Sequence, residues 1–198
     1  MSKPNIVLAS GSPRRKQMLE NLGIEFSVIP SSAAEDEQPG ETPEQHVLRL
    51  SVAKAKEVAG RDDIRGRWFI GSDTIVLQND TILGKPVDSD AATRMLRALS
   101  GSDHHVLSGY AIFDRQTGEL VADVVATRVH FRELTEPEIA GYIASGEPMD
   151  KAGAYAIQGK GGVFVEKIDG SYNNVVGMPL CQVIEVLKRM GAVDLFGG

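Results

Sequence analysis

Leu8-Ala9-Ser10-Gly11-Ser12-Pro13-Arg14-Arg15 sets a hydroxyl-rich turn and two guanidinium groups where an apolar strand gives way to a helix. Ser12 suits the N-cap position and Pro13 the first helical position, where its missing N–H costs nothing. Free N–H groups and the positive end of the helix dipole attract an anion at such a start, and Arg14 and Arg15 add charge and forked donors. The turn is therefore a phosphate-site candidate. The same residues also read as an ordinary Ser-Pro cap with two solvated arginines.

Asp73 lies inside the run Phe69 to Leu77, where a carboxylate is desolvated unless something compensates it. A metal, a cation or an attacking water would supply the partner; backbone N–H groups at a strand bend would do so structurally. Lys54 is the matching anomaly on a helix, since Val47, Leu50, Lys54 and Val58 follow i, i+3 or i+4 steps and place an ammonium in an apolar stripe. It points into a cleft or snorkels from the stripe's edge. Gly84-Lys85-Pro86 adds another ammonium at a tight turn. Arg14, Lys54 and Lys85 together could clamp a polyphosphate, while Glu35 and Asp73 could hold the divalent ion that neutralises it. In the segment Lys151 to Gly159, Gln158 offers an amide that both donates and accepts, which suits the edge of a nucleobase and equally an ordinary loop. No G-x-x-x-x-G-K-[ST] and no strand-borne G-x-G-x-x-G is present, which disfavours a standard P-loop or dinucleotide fold.

Alternating strands and helices position these groups. Ile6 to Ala9 reads as a strand, followed by a helix from Pro13 to about Leu22 and a strand at Phe26 to Ile29. Ser31 to Glu41 is an acidic loop. Thr42, Pro43 and Gln45 form a capping box for a helix to Ala59. Trp68 to Leu77 and Thr81 to Leu83 form an antiparallel pair across Asn79-Asp80, and Asp90 to Leu99 is a short helix. Val106 to Phe113 and Leu120 to Phe131 form a long hairpin, and Thr135 with Glu138 caps a helix ending at Gly146. Glu147 to Gly162 reads as a functional loop. Val163 to Ile168 and Tyr172 to Val176 are expected to pair about Asp169-Gly170, before a last helix from Pro179 with Cys181 packed in its stripe. Hairpins mixed with strand-helix units imply an α/β fold with a mixed, twisted sheet flanked by helices.

The 198 residues suit a single domain over residues 1–198, and 42% hydrophobic with 24% charged residues is a soluble globular balance. A net charge of −6 argues against non-specific nucleic-acid binding. No apolar run reaches the length of a membrane span and Met1 to Asn5 do not form a signal peptide, so a cytoplasmic protein without membrane partners is expected. One cysteine excludes an internal disulfide, and no two of the four histidines stand at the i, i+4 spacing that would put both on one helix face.

Ser10 to Arg15, Ser72-Asp73-Thr74, Gly84-Lys85-Pro86, Leu99-Ser100-Gly101, the block Glu147 to Gly159, Gly170 and Val176 to Leu180 together resemble the Maf family of nucleoside triphosphate pyrophosphatases. The resemblance runs in order along nearly the whole chain. It implies an inosine-triphosphatase-like architecture with a substrate cleft, and hydrolysis between the α and β phosphates with a divalent metal, Mg or Mn. Asp73 would be the catalytic base and a metal contact. Ser12, Arg14, Arg15, Lys54 and Lys85 would bind substrate, and Glu35 would be the acidic metal or water contact. Paired arginines, Asp73-Thr74 and Ile157-Gln158-Gly159 resemble the branch acting on dTTP and UTP, with Arg14, Thr74 and Gln158 as specificity positions. Ala34 counts into the position where many members are acidic, leaving Glu35 one place late. A homodimer is a further implication. Two other functions stay open: a cleanup pyrophosphatase for inosine- or xanthosine-type triphosphates, and a nucleotide-sensing regulator of septation.

Overall fold

β1 (Ile6–Leu8) pairs in parallel with β2 (Phe26–Val28) and with β3 (Trp68–Gln78), Val7 standing opposite Ser27 on one side and Phe69 on the other. The computed structural model containing these strands describes residues 5–197. The remaining strands are β4 (Thr81–Leu83), β5 (Asp103–Asp114), β6 (Leu120–Phe131) and β7 (Val165–Asp169). The sheet order is β2-β1-β3-β5-β6-β7, with β4 on β3. β3 with β4 and β6 with β7 are antiparallel, so the sheet is mixed, as the alternation of hairpins and strand-helix units requires.

The helices are α1 (Pro13–Glu20), α2 (Pro43–Ala59), α3 (Ser89–Leu99), α4 (Glu136–Ala144), α5 (Tyr172–Val176) and α6 (Leu180–Arg189). Two compact units interleave along the chain. The first takes the described residues up to Asp73, Ser108–Val125 and those from Gly177 onward; the second takes Thr74–Leu107 and Ala126–Val176.

In the first unit Val7, Ala9, Ala55, Val58, Phe69 and Ala111 form a buried cluster between strands and α2. Two glycines set how closely α2 approaches. A Cβ at Gly71 would stand 2.1 Å from the Ser51 carbonyl oxygen, and one at Gly109 would stand 2.3 Å from that of Val47. Only hydrogen fits at either place. α2 begins with the capping box expected of Thr42 and Gln45: the Thr42 hydroxyl accepts from the Gln45 N–H at 3.2 Å, and the Gln45 amide oxygen accepts from the Thr42 N–H at 2.9 Å.

The second unit packs Leu96, Leu99, Val129, Phe131, Ile139, Tyr142, Tyr155 and Phe164 around α3 and α4. His104 is buried there, 2.8 Å from the Tyr155 hydroxyl and edge-on to Phe131, while its neighbour His105 is exposed on the other face of β5. Burial pushes the His104 imidazole down to about 4. An unfolded histidine takes up its proton near pH 6.5, so the fold is expected to lose about 3 kcal/mol as pH falls from about 6.5 to 4. Glu41, Asp114 and Glu138, each held down to about 2 by hydrogen bonds from Arg49, Arg67 and Arg132 respectively, keep their full stabilisation above the usual carboxylate range. They add a separate decline below about pH 4.5. Melting temperatures across this range check both steps: His104→Gln should flatten the upper one only, and an unaltered upper step would clear His104 of the role.

Two local expectations are corrected. Tyr172 to Val176 is α5, not the second strand of a hairpin. Ser171 starts the helix by accepting from the Asn174 N–H at 3.3 Å through its hydroxyl and from the Val175 N–H at 3.2 Å through its carbonyl, and the buried Asn174 amide donates to the Val106 carbonyl and the Thr127 hydroxyl, both at 3.0 Å. Five residues are too few for apolar periodicity to separate strand from helix. Cys181 is exposed in the first turn of α6 and does not belong to its packed stripe.

Candidate functional site

Ser12 caps α1, its hydroxyl accepting from the Arg15 N–H at 3.5 Å, with Pro13 in the first turn. The paired arginines then diverge. Arg15 turns inward and is buried, donating from Nε to the Gly177 carbonyl at 2.8 Å and from Nη1 to the Ser10 hydroxyl at 3.1 Å. Arg14 stays partly exposed on the same turn. Burial lowers the Arg15 pKa; the negative charge of Asp73 opposes that shift, Arg14 adds to it, and Glu35 opposes it. Arg15 thus braces the turn, and Arg14 is the arginine with solvent access.

Asp73 sits in the unbroken strand β3 and is buried, as its apolar neighbours require. Of the partners that could compensate it, the structure supplies a cation and a backbone anchor. Lys54 Nζ lies 2.7 Å from Asp73 Oδ1, and the Asp73 N–H donates to the Ser51 hydroxyl at 3.0 Å. Lys54 points inward and is itself buried, so it does not snorkel. Its ammonium also reaches Glu35 Oε1 at 2.5 Å, giving a carboxylate-ammonium-carboxylate arrangement. Glu35, not Ala34, therefore brings the loop's acidic group to Lys54.

The loop owes that placement to α2. Glu57 accepts from the hydroxyls of Ser31 and Ser32 at 2.7 and 3.1 Å and from the Ser32 N–H at 3.0 Å. Arg49 donates to the Asp36 carbonyl at 3.0 Å and grips both oxygens of Glu41 at 2.6 and 2.7 Å. Glu35 is held between these ties, with Lys54 lying between Arg49 and Glu57 along the helix. Ser51, Arg49 and Glu57 carry no motif of their own. What marks them is helical spacing alongside Lys54, a signal that gains meaning only once the loop is known to lie along α2.

Thr74, Lys85 and Gln158 belong to the second unit. There the Gly84 carbonyl accepts from the Gly153 N–H at 3.1 Å, joining the turn that carries the exposed Lys85 to the Glu147 to Gly159 block. That block holds two short 3-10 turns, Glu147–Asp150 and Ala152–Ala154, and a third, Lys160–Phe164, follows it, with Gln158 exposed between the second and third.

Carboxylate oxygens are hard donors, and two of them converge on the position of one ammonium. Among the described residues no three acidic, histidine or cysteine side chains are grouped for a metal. Glu35 and Asp73 would supply oxygen donors of the kind Mg²⁺ or Mn²⁺ takes when one or two carboxylates share the ion with substrate phosphates, while the point on which they converge holds the Lys54 ammonium.

Fold and site define an α/β protein with a mixed sheet, a cationic helix start and a lysine bridging two carboxylates. Residues 5–190 match the family model described as Maf-like protein, and the chain belongs to the Maf family. A protein of Syntrophotalea carbinolica named dTTP/UTP pyrophosphatase is 59% identical over 99% of this chain and 93% of its own. Proteins with the same name from Geotalea uraniireducens and Geobacter sulfurreducens are each 52% identical over 98% of this chain and cover 98% and 100% of their own. A solved nucleoside-triphosphatase / dITP/XTP pyrophosphatase of Mycobacterium abscessus aligns over 93% of this chain and 97% of its own, with a TM-score of 0.45 and 14% identity.

Proposed function

We propose that this chain hydrolyses dTTP and UTP between the α and β phosphates, releasing the nucleoside monophosphate and pyrophosphate. The buried Asp73, held by Lys54 beside Glu35, carries the reading. A buried carboxylate in an apolar strand, oriented by one ammonium, is a positioned proton acceptor, and its neighbours are suited to phosphate charge. Names of relatives at 52–59% identity point to the same activity.

Asp73 orients a water and takes its proton as the oxygen attacks the α phosphorus. The bond from that phosphorus to the bridging oxygen breaks, and pyrophosphate leaves with the electron pair. Lys54 and Arg14 oppose the charge gathering on the phosphate oxygens, and Arg15 keeps the α1 turn in shape. A divalent ion held by Glu35 and Asp73 would add Lewis-acid charge neutralisation. Lys85 is assigned to the phosphates, and Thr74 and Gln158 to selection of the nucleotide.

Incubating the protein with a panel of normal, inosine-type and xanthosine-type triphosphates in Mg²⁺ or Mn²⁺, and identifying both products, tests this directly. Pyrophosphate with dTMP or UMP is expected, turnover should vanish on chelation, and added metal should restore it. Release of inorganic phosphate would put the cleavage at the wrong bond. Nucleotide binding without metal-dependent hydrolysis would favour a sensor. No helix among the described residues is long and apolar enough to cross a membrane. The cytoplasm, where nucleoside triphosphates are made and used, is the proposed location, in a nucleotide-housecleaning role. A homodimer is the proposed assembly, to be checked by light scattering.

A further inference from the structure

Gln158 is exposed, yet the backbone on both sides of it is tied to one pair of side chains, the buried Tyr142 and the half-buried Glu147. Before it, the Ala156 N–H donates to the Tyr142 hydroxyl at 3.2 Å; after it, the N–H groups of Lys160 and Gly161 donate to Glu147 Oε2 and Oε1, each at 3.1 Å. The Tyr142 hydroxyl closes the circuit by donating to Glu147 Oε1 at 3.0 Å. Three N–H donors, from Ala156 to Gly161, thus end on a single phenol-carboxylate unit. The Ala156 N–H to Tyr142 and Tyr142 to Glu147 bonds run head to tail and polarise one another, while Lys160 and Gly161 share the carboxylate with the Tyr142 hydroxyl as parallel donors.

The unit is itself fixed. The Tyr142 ring is buried and stands nearly perpendicular to Phe164 with centroids 5.0 Å apart. Burial raises the Tyr142 pKa, so the hydroxyl keeps its proton and remains a donor at neutral pH. Burial works to raise Glu147 as well, but the Gly161 and Lys160 bonds outweigh it and hold the carboxyl below its usual range, keeping it an acceptor. Gly159, next to Gln158, has φ of +140°, and a Cβ there would stand 2.7 Å from Glu147 Oε1. The chain passes over the carboxylate at a distance that only glycine permits.

We propose that Tyr142 and Glu147 are positioning residues for nucleotide selection: they set the reach and direction of Gln158 without touching substrate. An exposed amide on a free loop samples many orientations and discriminates weakly between bases, because each hydrogen bond it forms must first offset the loss of that freedom. Fixed at both ends, it presents one donor-acceptor edge. The inference rests on the reading of Gln158 as the group that meets the base.

The test compares Tyr142→Phe, Glu147→Gln, Gln158→Ala and the Tyr142→Phe/Gln158→Ala double variant. Tyr142→Phe keeps the packed ring and removes only the hydroxyl. For each variant, kcat and KM are measured for dTTP, UTP, dCTP and GTP, with melting temperature and amide hydrogen exchange at Ala156, Lys160 and Gly161. Tyr142→Phe and Glu147→Gln should each reduce the preference for dTTP and UTP several-fold, mainly through KM, in the same direction as Gln158→Ala. The double variant should be no less selective than Gln158→Ala alone, and exchange at the three amides should quicken. A merely structural pair would instead lower melting temperature and reduce kcat/KM equally for all four nucleotides, which overturns the proposal. Unchanged exchange overturns it too. A Gln158→Ala enzyme with wild-type base ratios overturns it by removing the role of Gln158. A wild type that cleaves none of the four refutes the activity, while exchange still decides whether the pair holds the segment.

Discussion

Asp73→Asn should reduce turnover of dTTP by at least about 10³-fold, the upper part of the range ascribed to a positioned general base, while nucleotide binding stays measurable. The substitution is nearly isosteric. The amide oxygen can still accept from Lys54, and the backbone bond from Asp73 N–H to Ser51 does not involve the side chain. The variant should therefore fold, with its melting temperature close to that of the parent. What it loses is the capacity to take a proton from water and half of the acidic pair available to a metal. Calorimetric titration with a non-hydrolysable dTTP analogue, alongside pyrophosphate release, separates binding from chemistry. Wild-type-like turnover would remove Asp73 from the role of base.

Lys54→Met should be costly to both stability and activity. Its ammonium compensates Asp73, which is nearly buried, and also engages the more exposed Glu35. Removing one partner of a buried pair leaves an uncompensated charge, at about 3 kcal/mol or more. Methionine keeps most of the stem's packing, so the loss reports the charge and not a cavity. Turnover should fall together with stability. A variant as stable as the parent at pH 7 would mean that Asp73 is held by its backbone environment and that Lys54 contributes little.

Much of the site was legible in the chain because anomalies of residue type are visible without coordinates. A carboxylate in Phe69 to Leu77 and an ammonium in the Val47 to Val58 stripe each demanded an explanation, and each turned out to be the other's partner. The α1 cap was readable from Ser12-Pro13, since capping depends on neighbours within four residues. What could not be read was the different fate of two adjacent arginines. Arg15 is buried because the Gly177 carbonyl, distant in sequence, arrives beside it. The assignment of Tyr172 to Val176 failed for a related reason: the Asn174 contacts that fix it come from β5 and β6.

The sequence by itself determined the mixed α/β class, the helix starts, the family and the residue types available for phosphate, metal and base. The class and the helix starts rest on local propensity, capping and apolar periodicity, all of which act over a few residues, and the family rests on the resemblance of short motifs in order along the chain. Only the tertiary structure decided that Glu35, not Ala34, meets Lys54, that α2 ties the acidic loop at both ends, and that Tyr142 and Glu147 fix the backbone around Gln158. Each joins groups through hydrogen bonds whose energy depends on distance and angle in space, which spacing along a chain does not encode.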